Sequence, residues 1–168
     1  GKCLDIGCGK ENIFINQFLN NNGIGLDLFP YEGLTKENLV DNFYELPFPD
    51  NSFRTITFIA NFNHIPENLR SKEINESFRL IEPGGRIIVT MGNPIAELLA
   101  HSNVWIQDKL FGTHLDMDSD RGMVEGESYF VLDKEIITCL TKAGFKNLQR
   151  YYFSTQWWLN HLWIGIKE

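Results

Sequence analysis

The chain has 168 residues, 43% of them hydrophobic and 22% charged, which excludes a disordered, collagenous or coiled-coil chain. At about 100–200 residues per domain, residues 1–168 are expected to form one domain around a single core. Fifteen basic residues against 22 acidic ones leave a net charge of −7, which repels polyanions and argues against a DNA or RNA partner.

The first residues, Gly1-Lys2-Cys3-Leu4-Asp5, carry no charged head followed by an apolar signal core, and no run of about 18 apolar residues follows. A chain without a membrane partner is expected. Cys3, Cys8 and Cys139 form no C-x-x-C pair, so neither a disulfide framework nor a zinc site is indicated, and a reducing cytoplasm is the expected location.

Lys2–Ile6 reads as a strand running into Gly7-Cys8-Gly9, after which Ile13, Phe14, Phe18 and Leu19 recur at near-helical spacing. Asn20-Asn21-Asn22-Gly23 ends that helix, and Ile24–Leu28 is a second strand with an acid near its end. Leu39-Val40-Asp41 is a candidate third strand. The turn-rich Leu46–Ser52 cannot be a central strand, whereas Phe53–Ala60 can.

From Pro66 to Leu80 an apolar stripe of Leu69, Ile74, Phe78 and Ile81 predicts an amphipathic helix that stops before Pro83-Gly84-Gly85. Arg86–Met91 is the next strand. Residues 94 to 111 read as helical, 112 to 128 as an acidic loop, and Asp133–Ala143 as a helix closed by Gly144. Aromatic strands near 145 to 153 and 158 to 166 complete the pattern. Such alternation predicts an α/β fold: a Rossmann-like, doubly wound, mostly parallel sheet with helices on both faces and an antiparallel strand at its C-terminal end.

In such sheets ligands bind where a strand's carboxyl end meets the next helix's N-terminus. Gly7 and Gly9 allow close backbone approach there. A dinucleotide fingerprint needs a third glycine at position 12, which is Asn12. A nicotinamide oxidoreductase is therefore a weaker reading than an enzyme using an adenosine cofactor without phosphates. Asp27, at the end of the second strand, can accept hydrogen bonds from both hydroxyls of a ribose.

Four segments taken together, Leu4-Asp5-Ile6-Gly7-Cys8-Gly9, Gly25-Leu26-Asp27, Leu46–Phe53 and Arg79–Arg86 with its following strand, resemble the class I S-adenosylmethionine (SAM)-dependent methyltransferases. The likeness is strongest to the small-molecule group called methyltransferase type 11. It implies SAM as cofactor, with Asp5, Gly7 and Gly9 around its methionine part, Asp27 at the ribose, and Cys8 and Leu28 also among the cofactor-binding residues. Asp41, Asn42 and Phe43 would border the adenine, and Asn61 would lie near the methyl group.

The resemblance implies methyl transfer to a small-molecule or sugar-containing metabolite, in which holding acceptor and methyl in line is the main device. A base is optional; His114 and His64 are the candidates, ahead of His101. No metal is expected: Asp116, Asp118, Asp120 and Glu127 are spaced like a calcium loop, but the glycine it requires is Arg121. The C-terminal aromatics Tyr151, Tyr152, Phe153, Trp157, Trp158 and Trp163 read as core or dimer packing, leaving monomer or homodimer open.

The chain departs from the family at Glu11, where a third glycine is common, and at Arg54, where an acid is usual. Glu11 adds negative charge near the expected methionine carboxylate, with Lys10 beside it to compensate. The family's preceding helices also have no counterpart before the first strand, so a shortened chain with an open site is expected. Glu11 and that open site motivate the alternative of a non-catalytic methyltransferase-like scaffold.

Overall fold

The computed structural model describes residues 1–92, 102, 106–107, 109–112, 126–128, 130–154 and 160–168. Strands β1 (Cys3–Ile6), β2 (Gly23–Leu26), β3 (Phe53–Ile59), β4 (Ile81–Gly92), β5 (Lys146–Tyr152) and β6 (Asn160–Ile166) form one sheet in the order β2-β1-β3-β4-β6-β5. The pairs from β2 to β4 are parallel, and β6 is antiparallel to both β4 and β5. The chain crosses from β1 to β2 on one side and then from β2 back past β1 to β3 on its other side. The carboxyl end of β1 is therefore the switch point at which open α/β sheets bind ligands.

Burial follows from this position. All four residues of β1 are buried, as the core of a parallel sheet requires, and Leu4, Ile6, Ile56, Phe58, Ile87 and Val89 are wholly enclosed. Edge strand β5 is mostly exposed and carries Lys146, Gln149 and Arg150, which discourages pairing with another chain.

Three expected elements differ: the strand expected from Arg86 begins at Ile81 and runs through Pro83-Gly84-Gly85, and two others change character. The helix expected after Gly9 is instead two short turns, Lys10–Asn12 and Phe14–Phe18. Glu11 and Asn12 both have positive φ, 58° and 47°, and left-handed residues cannot start an α-helix. The expected third strand shrinks to a single parallel bridge between Asp27 and Leu39.

Helices α1 (Glu67–Leu80) and α2 (Asp133–Ala143) match their expected spans, and Gly144 closes α2 in the left-handed conformation at φ 109°. The buried face of α1 is more polar than its apolar stripe implies: Arg70, Glu73, Ile74, Glu76, Ser77 and Leu80 face inward. Arg79 and Glu76 explain part of this. They bond to each other and together hold the Leu46–Asp50 stretch, through the Leu46 N–H to Glu76 Oε1 at 2.7 Å and Arg79 Nη1 to Phe48 O at 2.9 Å and Asp50 Oδ1 at 2.6 Å. Arg54 pairs with Glu82 at 3.2 Å.

Asp133 opens α2 and accepts bonds from His161 Nε2 (2.6 Å) and Trp163 Nε1 (3.0 Å) on β6 and from Arg150 Nη1 (2.7 Å) on β5. His161 and Trp163 are buried, and a buried donor left without an acceptor costs about 1–3 kcal/mol. Asp133→Ala is accordingly expected to lower the unfolding free energy by about 2–4 kcal/mol in urea titrations. A loss below half a kcal/mol would mean water replaces the carboxylate at no cost.

Candidate functional site

At the end of β1 the chain turns sharply because the N–H groups of Gly7 and Cys8 both donate to Leu26 O, at 2.8 and 3.0 Å. Gly7 has φ 70°, and a Cβ there would lie 1.9 Å from Asn61 Nδ2. Asn61, immediately after β3, covers Gly7 and donates from its amide to Ile6 O. Gly7→Ala must displace that side chain and strain the turn, so it is expected to cost about 2–4 kcal/mol, read as a lowered melting midpoint. An unchanged midpoint would show that the turn relaxes freely.

Gly9 differs. Its φ of 65° and ψ of −167° suit glycine, yet nothing lies within 4 Å of where a Cβ would stand. Space is therefore open above its backbone. Beside it, Asp27 is buried and accepts one bond on each oxygen, from Gly9 N–H at 2.9 Å and Phe29 N–H at 2.9 Å. A carboxylate has about four acceptor positions, so each oxygen keeps one, which suits the two hydroxyls of a ribose. Asn61 Oδ1 and Asn12 Oδ1 are buried without a hydrogen-bond partner among the described residues. An unfilled cradle, a carboxylate with spare capacity and an orphaned amide oxygen fit an adenosine cofactor such as SAM.

Asp5 lies beneath this turn. Burial pushes its carboxyl up to about 7, the Oγ1 of Thr57 opposes that by donating to Oδ1 at 2.6 Å, and the Asp27 carboxylate raises it further. Thr57 is the register partner of Asp5 on β3, so this contact emerges only once the strands pair. Cys8 is half-buried, and burial followed by the nearby Asp27 and Asp5 charges pushes its thiol up to about 12. It is a thiol, not a nucleophile, at neutral pH.

Leu28 is exposed at the mouth of the crevice. Asp41 is exposed, Asn42 Oδ1 caps the N–H groups of Tyr44 and Glu45, and Phe43 is buried in the core. His64 follows Asn61 by one turn, its N–H donating to Asn61 O at 2.9 Å, and its Nδ1 lies 3.1 Å from Glu127 Oε2. His114 and His101 lie outside the described residues, as do Asp116, Asp118 and Asp120 of the acidic loop. Among the described residues no acidic, histidine and cysteine cluster could hold a metal ion, and no helix is long and apolar enough to cross a membrane.

Glu11 occupies the left-handed conformation that a glycine would favour, with its N–H donating to Glu32 O at 2.8 Å. Lys10, the cation beside Glu11, reaches to the loop after β2. Its ammonium meets Glu32 at 2.7 Å, because the loop after β2 folds back over the glycine turn.

The profile of the family described as the methyltransferase domain matches residues 4–89, half of the chain, covering β1 to β4 and the crevice. The ubiquinone/menaquinone biosynthesis C-methyltransferase UbiE of Salmonella arizonae is 38% identical over 117 residues, 63% of this chain and 44% of that protein. Its Brucella canis counterpart is 27% identical over 140 residues, 73% of this chain and 50% of that protein. The chain thus spans about half the length of these curated relatives. Among solved structures, a SAM-dependent methyltransferase of Methanosarcina mazei superposes with a TM-score of 0.64 at 22% identity, over 99% of this chain and 92% of that one. With the profile spanning the glycine turn, the Asp27 strand and the Asn61 turn that build the crevice, the chain belongs to the methyltransferase-domain family of class I SAM-dependent methyltransferases.

Proposed function

We propose that this chain binds SAM in the crevice over Gly9 and transfers its methyl group to a small-molecule or sugar-containing metabolite. The observation that carries the reading is the open space above Gly9 beside a buried carboxylate with one spare acceptor position on each oxygen. SAM supplies an electrophilic methyl on a sulfonium. Asp27 would hold the ribose hydroxyls, and Asn61 would offer its orphaned Oδ1 to the cofactor's polar groups near Gly7. Holding the acceptor in line with the methyl would contribute most of the rate, an effect of up to about 7–11 kcal/mol.

Asp5 provides a pH signature. The cofactor's ammonium and sulfonium favour the ionised carboxylate, whereas burial favours the protonated form up to about pH 7. SAM affinity is therefore expected to rise as pH passes upward through about 7 and to fall below it. Titration calorimetry between pH 6 and 8 checks both points. No binding at millimolar SAM would favour the non-catalytic scaffold, and pH-independent binding would remove Asp5 from the site.

A further inference from the structure

We propose that Glu127 is a positioning residue that fixes the tautomer of His64, so that the ring's Nε2 takes the proton of the methyl acceptor. The inference rests on the methyl-transfer reading above. His64 stands in the turn Phe62–His64 that links β3 to α1, three residues after Asn61, whose side chain covers Gly7. It is therefore carried on the same short segment that borders the crevice.

Glu127 arrives from a distant part of the chain and is clamped on both sides. The N–H of Glu67 donates to Gly126 O at 3.2 Å, and the N–H of Ser128 donates to Asn63 O at 2.9 Å. Arg70 adds a third tie. This buried guanidinium donates from Nη2 to Ser128 Oγ at 3.0 Å, from Nε to Ile65 O at 2.9 Å and from Nη1 to Glu135 Oε1 at 2.5 Å, with the Phe62 ring 5.9 Å away. Gly126, Glu127 and Ser128 are thus fastened to the segment bearing His64 by bonds on either side of the carboxylate. The Glu127 side chain is 1% exposed and that of His64 is 32% exposed.

A carboxylate accepts and does not donate, so the bond at 3.1 Å places the hydrogen of a neutral ring on Nδ1. Nε2 then carries the lone pair, and no described residue bonds it. In the step this permits, the acceptor's X–H bond breaks as its electron pair forms the bond to the methyl carbon. The carbon–sulfur bond breaks with its pair remaining on sulfur, and the proton passes to Nε2. The resulting imidazolium is held against the Glu127 carboxylate. Orientation of a base by a second group that bonds the other ring nitrogen is a general device.

The test needs no knowledge of the acceptor. Long-range proton–nitrogen NMR of the full chain, with His64 assigned through H64Q, should show a ring protonated at Nδ1 and bare at Nε2. In E127A the hydrogen should move to Nε2, the form preferred by a free side chain. Acylation of His64 by diethyl pyrocarbonate, followed by peptide mass spectrometry, should be slower than in the wild type in E127Q, a variant of the same shape that guards against misfolding of E127A. SAM affinity should be unchanged in both variants. A wild-type ring protonated at Nε2, or a tautomer and acylation rate indifferent to residue 127, would overturn the proposal. A wild-type chain with the Nδ1 hydrogen that binds no SAM would instead overturn the methyl-transfer role, leaving the pair as a structural clasp.

Discussion

Glu73→Met is expected to raise the unfolding free energy by about 2–4 kcal/mol at pH 8. Glu73 lies on the inward face of α1, is buried, and has an Oε2 without a partner among the described residues. Burial pushes its carboxyl up to about 8 from an ordinary 4.5. Between those two values the folded chain holds a proton that the unfolded chain has released. Stability due to this group is therefore fully present below about pH 4.5 and drains away as pH rises toward 8. Methionine keeps the length and helix propensity of glutamate without a charge to desolvate. Urea titrations at pH 5 and pH 8 check the mechanism: the advantage of the variant should be much smaller at pH 5. An advantage equal at both values would locate its origin in packing instead of ionisation.

Asp27→Asn is expected to weaken SAM binding by about 1.5–3 kcal/mol, or about 10- to 150-fold, because hydrogen bonds to a charged acceptor contribute that much. Asparagine is the informative replacement, since alanine would also strip the Gly9 and Phe29 N–H groups of their shared acceptor. The amide retains one accepting oxygen and fills the same volume. Calorimetry beside a circular dichroism spectrum separates binding from folding, and an unchanged dissociation constant with an intact fold would place the ribose elsewhere.

Much of the crevice is local and so was readable in advance. Gly7 and Gly9 sit at the turn that ends β1, and Asp27 directly follows β2; each position depends on residues within a few places of it. The extents of α1 and α2 were equally legible, through apolar spacing and the glycine at 144. Where local signals competed, the reading failed. Ile13, Phe14 and Phe18 have helical spacing, but Glu11 and Asn12 upstream adopt left-handed backbone because the loop after β2 folds onto the turn through the Glu32 carbonyl.

Charged residues on α1 carry the clearest division. The apolar stripe of Leu69, Ile74 and Phe78 gives no place on the buried face to Arg70, Glu73 and Glu76, yet all three are buried. Burial depends on partners 30 to 65 residues away, such as the Leu46 N–H for Glu76 and Glu135 for Arg70, and no local window contains them. By itself the order of strands, helices and glycines determined the fold class and the position of the crevice, because backbone preferences and apolar periods act over a few residues. Only the tertiary structure decided that Thr57 faces Asp5, that Glu127 meets His64 and that Glu73 is shut away from water, because hydrogen bonding and desolvation act through space between segments far apart along the chain.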